Sequence, residues 1–278
     1  HCPQEAHPGE LMMSLRRWLT AKYDWTGLSG LFYKYLPATV TAMLLVLAGV
    51  IFFAVSVNWE LERMLHFGHL FEMIAIATVF VVIFIPNLLR MWYFTVIKSG
   101  VKVPFKKYFT TLGELFVHMF TQKRAKDCDD NHFRWLEHLI LVFAYLALLF
   151  TTVFLNWFGT ENLFVIILGY LESAFIFIIT VDFVKDRMQK KKALAQKSQP
   201  SDWFFVIWLL LMGLTAFLVR LFIDIDVNPD VNLLEDNKWM YLFHLTVLAQ
   251  WALIIVPFGK WTHFLYRSFA MYFVALKK

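Results

Sequence analysis

The feature that most constrains this chain is a series of six apolar stretches, each long enough to cross a lipid bilayer. They occupy residues 37–57, 65–89, 136–157, 163–183, 203–223 and 239–256. A spanning helix needs about 20 mostly apolar residues, and these runs are continuous rather than alternating, as β-barrel strands would be. Charged residues make up only 17% of the chain, against about 25% in soluble domains. The sequence predicts an all-α, polytopic membrane helix bundle and excludes a soluble enzyme.

The distribution of Lys and Arg predicts the orientation of the bundle. Basic residues concentrate between the second and third stretches and between the fourth and fifth, whereas residues 156–162 have none and residues 224–238 are acidic with one Lys. The positive-inside rule then places both basic segments and both termini in the cytoplasm of a multi-pass protein of the cytoplasmic (inner) membrane. Topology accounts for the net charge of +5, so we expect lipid and no nucleic acid as a partner.

Smaller features predict a division into two regions. Residues 1–34 are expected to form a cytoplasmic tail with a linker, and residues 35–278 a membrane domain. Within that domain, residues 105–120 have the pattern of an amphipathic helix at the membrane surface. Residues 185–202 are rich in Lys, Gln and Ser and are expected to form a mobile connector.

Four histidines fall at two matched depths in the predicted topology. His69 and His244 lie near the outer face, on the second and sixth stretches, and His138 and His263 lie near the inner face, on the third and sixth. Ionisable side chains at membrane depth are rare and often functional. A single histidine at a helix end is more often an ordinary interfacial residue, but the pairing by depth favours a common role. His66 is the alternative to His69.

Paired imidazoles on different helices suit axial ligation of haem, which takes one ligand on each side of the porphyrin. His244 and His263 are 19 residues apart. Along a continuous helix this spacing corresponds to about 28 Å, which suits two cofactors near opposite surfaces. The spacing therefore predicts two haems, an outer one held by His69 and His244 and an inner one held by His138 and His263.

Other polar residues near or within the spans are candidates for supporting roles. Glu172, Glu72 and Asp182 are candidates for contact with a quinone or for proton transfer, although Glu172 is equally explained by a hydrogen bond to a neighbouring helix. Arg134 and Arg220 are candidates for pairing with haem propionates, as are Arg63, Arg90 and Arg267. Each arginine is also explained as an interfacial charge that extends toward water.

Two segments resemble parts of known membrane cytochromes. The segment YLFHLTVLAQWALIIVPFGKWTHFLYRSF, with His244 and His263, resembles the C-terminal haem helix of the nitrate reductase gamma-subunit and heterodisulfide reductase membrane-subunit type. The segment HFRWLEHLILVFAYLALLF, with His138, looks like the first haem helix of fused members of that group. The resemblance implies two b haems and reaction with menaquinone or ubiquinone. The gamma subunit takes two ligands from its early haem helix, whereas here that helix supplies only His138.

The N-terminal residues carry a second resemblance. The segment HCPQEAHPGELMMSLRRW is similar to the end of a two-cluster ferredoxin domain of the heterodisulfide reductase C type. This resemblance implies that Cys2 is the last ligand of a [4Fe–4S] cluster in a domain that lies mostly upstream. The alternative is that Cys2 is a lone thiol.

These features together predict a quinone-reactive dihaem cytochrome b of a respiratory complex. Such a subunit would exchange electrons between the quinone pool and a cytoplasmic Fe–S subunit, or a redox subunit outside. Two other classes stay open, a proton-coupled transporter that uses Glu172 and the histidines, and a non-redox membrane anchor.

Overall fold

The computed structural model describes residues 8–121, 132–159, 162–190, 196, 198–225 and 233–277, apart from the side chains of residues 8–13 and 156. These residues form helices and contain no strand. Six helices are long and apolar enough to cross a membrane, which confirms the predicted all-α polytopic bundle. Spans one to six are Leu36–Ser56, Leu61–Ile97, His132–Phe158, Leu163–Gln189, Pro200–Asp224 and Lys238–Leu276.

Among the described residues, five shorter helices lie outside the spans. They are Pro8–Tyr23, Leu28–Lys34, Phe105–Thr110, Leu112–Phe120 and Leu233–Asp236. The surface helix predicted over residues 105–120 is therefore two helices that meet at Thr111. Leu112–Phe120 packs against the end of span six, where the Tyr272 hydroxyl donates to the Tyr108 carbonyl oxygen at 2.8 Å.

The predicted mobile connector is helical at both of its ends. Span four continues to Gln189 and ends at Lys190, whose φ of 50° lies in the left-handed region. Span five begins at Pro200, where Gln199 and Asp202 form a capping box that satisfies backbone N–H groups at the helix start. Residues 191–195 and 197 of the connector lie outside the described residues.

The N-terminal helix Pro8–Tyr23 docks onto the bundle. It packs against spans two and six, where the hydroxyls of Thr20 and Thr262 lie 3.4 Å apart. The Asn87 side-chain oxygen accepts a hydrogen bond from the Trp25 backbone N–H at 3.0 Å. Residues 14–34, predicted to belong to a tail and linker, are thus part of the packed structure.

The buried apolar residues of the bundle form two clusters. The smaller cluster joins spans one, two, five and six through residues such as Ala54, Met64 and Leu245. The larger cluster joins all six spans to the N-terminal helix. We call the end of the bundle that carries Lys34 and Lys260 the basic end and the opposite end the far end.

Span six is interrupted between its two candidate histidines. A π-helical segment, Trp251–Ile255, leads into the short helix Val256–Phe258, and a new helix starts at Thr262. A Cβ at Gly259 would lie 2.4 Å from the Ile255 carbonyl oxygen, so the break requires glycine. Span six is therefore not one continuous helix from His244 to His263, and Pro257, a residue expected to bend a helix, lies at the interruption. The spacing of about 28 Å does not apply.

Candidate functional site

His138 and His263 come together at the basic end. His138 lies near the start of span three, and His263 is the second residue of the last helix of span six. The two imidazoles interact electrostatically with each other, and both also interact with Arg16, Lys260 and Arg267. The His138 side chain is exposed and that of His263 is half-buried. Both rings are therefore accessible to a ligand within one basic environment.

The break in span six positions His263. After the chain leaves Phe258, the Thr262 hydroxyl donates to the Gly259 carbonyl oxygen at 2.8 Å and caps the turn. The next residue, His263, then lies beside the N-terminal helix, because Thr262 contacts Thr20 of that helix. A straight continuation of span six would not produce this turn.

A basic pocket surrounds His263. Its lining residues are Arg16, Arg17, Thr20, Tyr33, Ser201, Asp202, Lys260 and His263. The buried carboxylate of Asp202 accepts from Arg17 and Lys260, each at 3.3 Å, and also caps span five. One carboxylate therefore serves two cations and a helix terminus. The pocket keeps an excess of positive charge.

Arg16 is the least compensated cation of this pocket. Its Nε is buried and has no hydrogen-bond partner among the described residues. Burial and the neighbouring Arg267 lower the pKa of Arg16, while Asp202 acts in the opposite direction. An anion bound beside Arg16 would supply both the missing acceptor and the missing charge.

His244 is oriented by a hydrogen bond at the far end. Its Nδ1 lies 2.8 Å from the hydroxyl oxygen of Thr215 on span five. That hydroxyl also donates to the Leu211 carbonyl oxygen at 2.7 Å. Because a hydroxyl has one proton, this geometry favours an Nδ1–H of His244 that donates to Thr215. The other ring nitrogen, Nε2, then carries the lone pair that can bind a metal.

A membrane-embedded cavity adjoins His244. It has a volume of about 140 Å³ and is lined by spans two, three, five and six. Its lining is mainly apolar, and Glu72, Tyr145 and His244 contribute ionisable groups. The π-helical segments Val79–Phe84 and Trp251–Ile255 border it on two sides. Such segments are rare and frequently occur at functional sites.

His69 has an unsatisfied nitrogen near the same level of the bundle. Its Nε2 is buried and has no hydrogen-bond partner among the described residues. Spans two and six touch here, because the Tyr241 hydroxyl donates to the Met64 carbonyl oxygen at 3.2 Å and packs onto Gly68. No interaction joins His69 to His244 within the described part of the chain. His66 is exposed and packs edge-on against Phe67.

The candidate carboxylates lie in different environments. Glu72 lines the cavity with His244. Glu172 is buried between spans three and four, where its Oε1 accepts from the Thr151 hydroxyl at 3.0 Å. Its Oε2 has no partner among the described residues, and Glu172 does not line the cavity. The contact with Thr151 agrees with the helix-to-helix hydrogen bond that was one of its two interpretations.

Arg134 and Arg220, both candidates for propionate binding, are paired with carboxylates. Arg134 contacts Asp182 and Glu137, each at 3.1 Å, and also contacts Asp186. Arg220 Nε donates to Asp224 Oδ2 at 2.7 Å. Asp182 is therefore engaged with Arg134 and lies apart from the cavity lining. Arg134 also interacts electrostatically with His138, whereas Arg16 interacts with both His138 and His263.

Three residues of the site were not predicted from the sequence: Arg16, Lys260 and Thr215. Arg16 falls in the segment interpreted as a tail, and Lys260 has the appearance of an ordinary interfacial charge. Lys260 directly follows Gly259 and lies three residues before His263. This proximity was an available signal for Lys260. Thr215 carried no signal, because its role depends on how spans five and six pack.

Two further points bear on cofactors. Cys2 lies outside the described residues, so the cluster implied at the N-terminus stays a prediction. No group of three or more His, Cys, Asp or Glu side chains suited to a metal ion occurs among the described residues. Axial ligation of haem needs only two protein ligands and is a different arrangement.

Comparisons of this chain with protein-family models, with curated proteins and with solved structures find no match.

Proposed function

We propose that this protein is a dihaem membrane cytochrome b that carries electrons across the bilayer for a respiratory complex. The observation that carries the proposal is that His138 and His263, from two spans, interact electrostatically with each other and with the same three cations, beside a pocket with excess positive charge. The haem group has two propionate carboxylates beside a planar iron site with two axial positions. Two imidazoles and several cations are the protein groups that such a ligand needs.

At the basic end, His138 and His263 would be the axial ligands of the inner haem. Arg16, Lys260 and Arg267 would pair with its propionates, since all three interact with both imidazoles. The unpartnered Nε of Arg16 supports this assignment. These residues replace Arg134 as the preferred propionate partners, because Arg134 is already bound to carboxylates.

At the far end, His244 would be one ligand of the outer haem and His69 the other. Thr215 holds the His244 ring, and His69 Nε2 lacks a partner, as expected for a nitrogen whose natural partner is a cofactor. The apolar cavity wall beside His244 would exclude water. Bound haem supplies reversible one-electron chemistry, and the protein supplies ligands, orientation and a low dielectric.

The wider assignment follows the family resemblance. We propose menaquinone or ubiquinone as the redox substrate, a cytoplasmic Fe–S subunit or an outer redox subunit as partner, and the cytoplasmic membrane as location. Oxidation of a quinol releases protons, and Glu72 is the carboxylate best placed to accept one because it lines the cavity. Cys2 would ligate a [4Fe–4S] cluster in a domain that precedes the described residues.

The test of the ligand assignment is loss of one haem at a time. His138→Leu and His263→Leu should each reduce bound haem from two per chain to about one and remove the same spectral component, because each removes an axial ligand. His244→Leu should remove the other component. The matched control is His132→Leu, which changes an exposed histidine on the same helix as His138 and should keep both haems. Loss of different components in the first two variants would contradict the pairing.

A further inference from the structure

A crevice separate from the histidine sites opens at the basic end between spans one, five and six. Its volume is about 250 Å³. We call it the interfacial crevice, and its lining residues are Phe32, Tyr33, Lys34, Leu36, Thr39, Met43, Gln199, Pro200, Ser201, Phe204, Phe205, Ile254, Ile255, Phe258 and Gly259.

The crevice lies where several helices begin or break. Span one starts at Leu36 after the extended residue Tyr35, and span five starts at Pro200. Span six is interrupted at Gly259 on the third side. A helix start or break has fewer side chains around it than a continuous helix does. Spans one, five and six therefore meet here without filling the interfacial crevice.

The two parts of the crevice differ in chemistry. Its floor, toward the membrane interior, is formed by apolar side chains such as Met43, Phe205 and Ile254. Its rim, at the level where the spans begin, has the polar groups of Lys34, Gln199 and Ser201. An amphiphile fits this division, with its tail on the floor and its headgroup at the rim.

The charge of the rim favours an anionic headgroup. Lys34 is exposed and has no ion-pair partner among the described residues. Tyr33 and Ser201 line both the interfacial crevice and the basic pocket, so the two are neighbours. Asp202 is the only carboxylate in either lining, and Arg17 and Lys260 already share it. Basic pockets between spanning helices on the cytoplasmic side are typical binding sites for anionic lipid headgroups.

We propose that the interfacial crevice binds one anionic glycerophospholipid, with its phosphate beside Lys34 and Ser201 and an acyl chain along the apolar floor. The proposal concerns residues that do not hold haem in the account above. It therefore stands or falls separately from the proposed electron-transfer function.

The experiment measures lipid retained by the purified full chain in native mass spectrometry after exchange into mixed micelles. The probes are phosphatidylglycerol, phosphatidylcholine and inorganic phosphate. We expect one tightly held phosphatidylglycerol, with phosphatidylcholine held more weakly. Lys34→Gln should weaken retention of phosphatidylglycerol about fivefold, as expected for loss of one lysine beside an anionic headgroup.

The matched control is Lys277→Gln, which removes another exposed basic side chain that does not line the interfacial crevice. It should leave lipid retention unchanged. Equal retention by wild type and Lys34→Gln, equal retention of the two lipids, or displacement by inorganic phosphate or a short-chain quinone would each overturn the proposal. Haem absorbance recorded on the same samples reports on the electron-transfer proposal independently.

Discussion

The hydrogen bond between Thr215 and His244 links two spans through one side chain on each. It fixes which ring nitrogen faces away from span five, and this choice determines whether His244 can bind iron. The corresponding histidines at the basic end make no side-chain hydrogen bond among the described residues. There, electrostatic neighbours rather than a hydrogen bond define the site.

Replacement of Thr215 tests this orientation. Thr215→Val keeps the shape of the side chain and removes the hydroxyl, so we expect about tenfold weaker retention of the outer haem and a shifted midpoint potential. The measurement is a spectroscopic redox titration of the purified variant. Thr246→Val is the control, because the Thr246 hydroxyl bonds only to the Leu242 carbonyl oxygen among the described residues. Equal titration curves for both variants would contradict the role of Thr215.

The two membrane carboxylates give a second comparison of single residues. Glu72→Gln should lower quinol oxidation about 100-fold, because an amide cannot accept the released proton. Glu172→Gln should leave quinol oxidation near the wild-type rate, since the amide oxygen still accepts from Thr151. Steady-state assays with a short-chain quinol measure both. A larger loss in Glu172→Gln than in Glu72→Gln would reverse the assignment.

The candidate histidines were easier to recognise from sequence than the cations around them. A histidine inside an apolar stretch is conspicuous, and the topology assigns its depth, so His138 and His263 could be paired. Arg16 could not be recognised in the same way, because a basic residue near a span end is common and its proximity to His263 arises only when the N-terminal helix docks.

Close packing of spans four and five depends on one glycine. A Cβ at Gly213 would lie 2.8 Å from the Phe177 backbone nitrogen and 3.0 Å from the Ser173 carbonyl oxygen. These backbone atoms cannot move without separating the helices. The contact brings span five, with Thr215 two residues further along, close to the bundle core.

Gly213→Ala should therefore lower the free energy of unfolding by about 1–3 kcal/mol through overpacking. The matched control is Gly169→Ala on span four, where an added Cβ meets nothing within 4 Å. Unfolding in detergent, followed by tryptophan fluorescence, measures both variants. A Gly213→Ala protein as stable as Gly169→Ala would show that the two helices can separate without loss.

The hydropathy pattern predicted the spans well and their interruptions poorly. The predicted stretch 163–183 and the observed Leu163–Gln189 begin at the same residue, because the change from polar to apolar residues marks the start of this helix clearly. The break at Gly259 and the π-helical segments leave no periodic signal, since they involve few residues and depend on neighbouring helices. Amphipathic and polar segments, such as 105–120 and 185–202, were assigned to the right regions but with the wrong helix limits.

The whole molecule has a different chemical character at each end. The basic end gathers Arg16 and Arg17 from the N-terminal helix, Lys34 from the next helix, and Lys260 from span six around His263 and the interfacial crevice. An apolar cavity with one histidine and one carboxylate extends through the interior from Glu72 and His244 to Trp261. The two haems proposed above would together provide an electron path across a bilayer.

The docked N-terminal helix contributes two cations to the basic end of the molecule. Arg16 and Arg17 enter the basic pocket from that helix. Residues 14–34 are therefore better regarded as part of the membrane structure than as a linker.

The amount of haem bound per chain tests the central claim most directly. A pyridine haemochrome assay on the purified protein, with chain concentration from amino-acid analysis, should give two b-type haems and a reduced-minus-oxidised spectrum with a strong Soret band. A colourless protein, after expression with ample haem supply, would contradict the account.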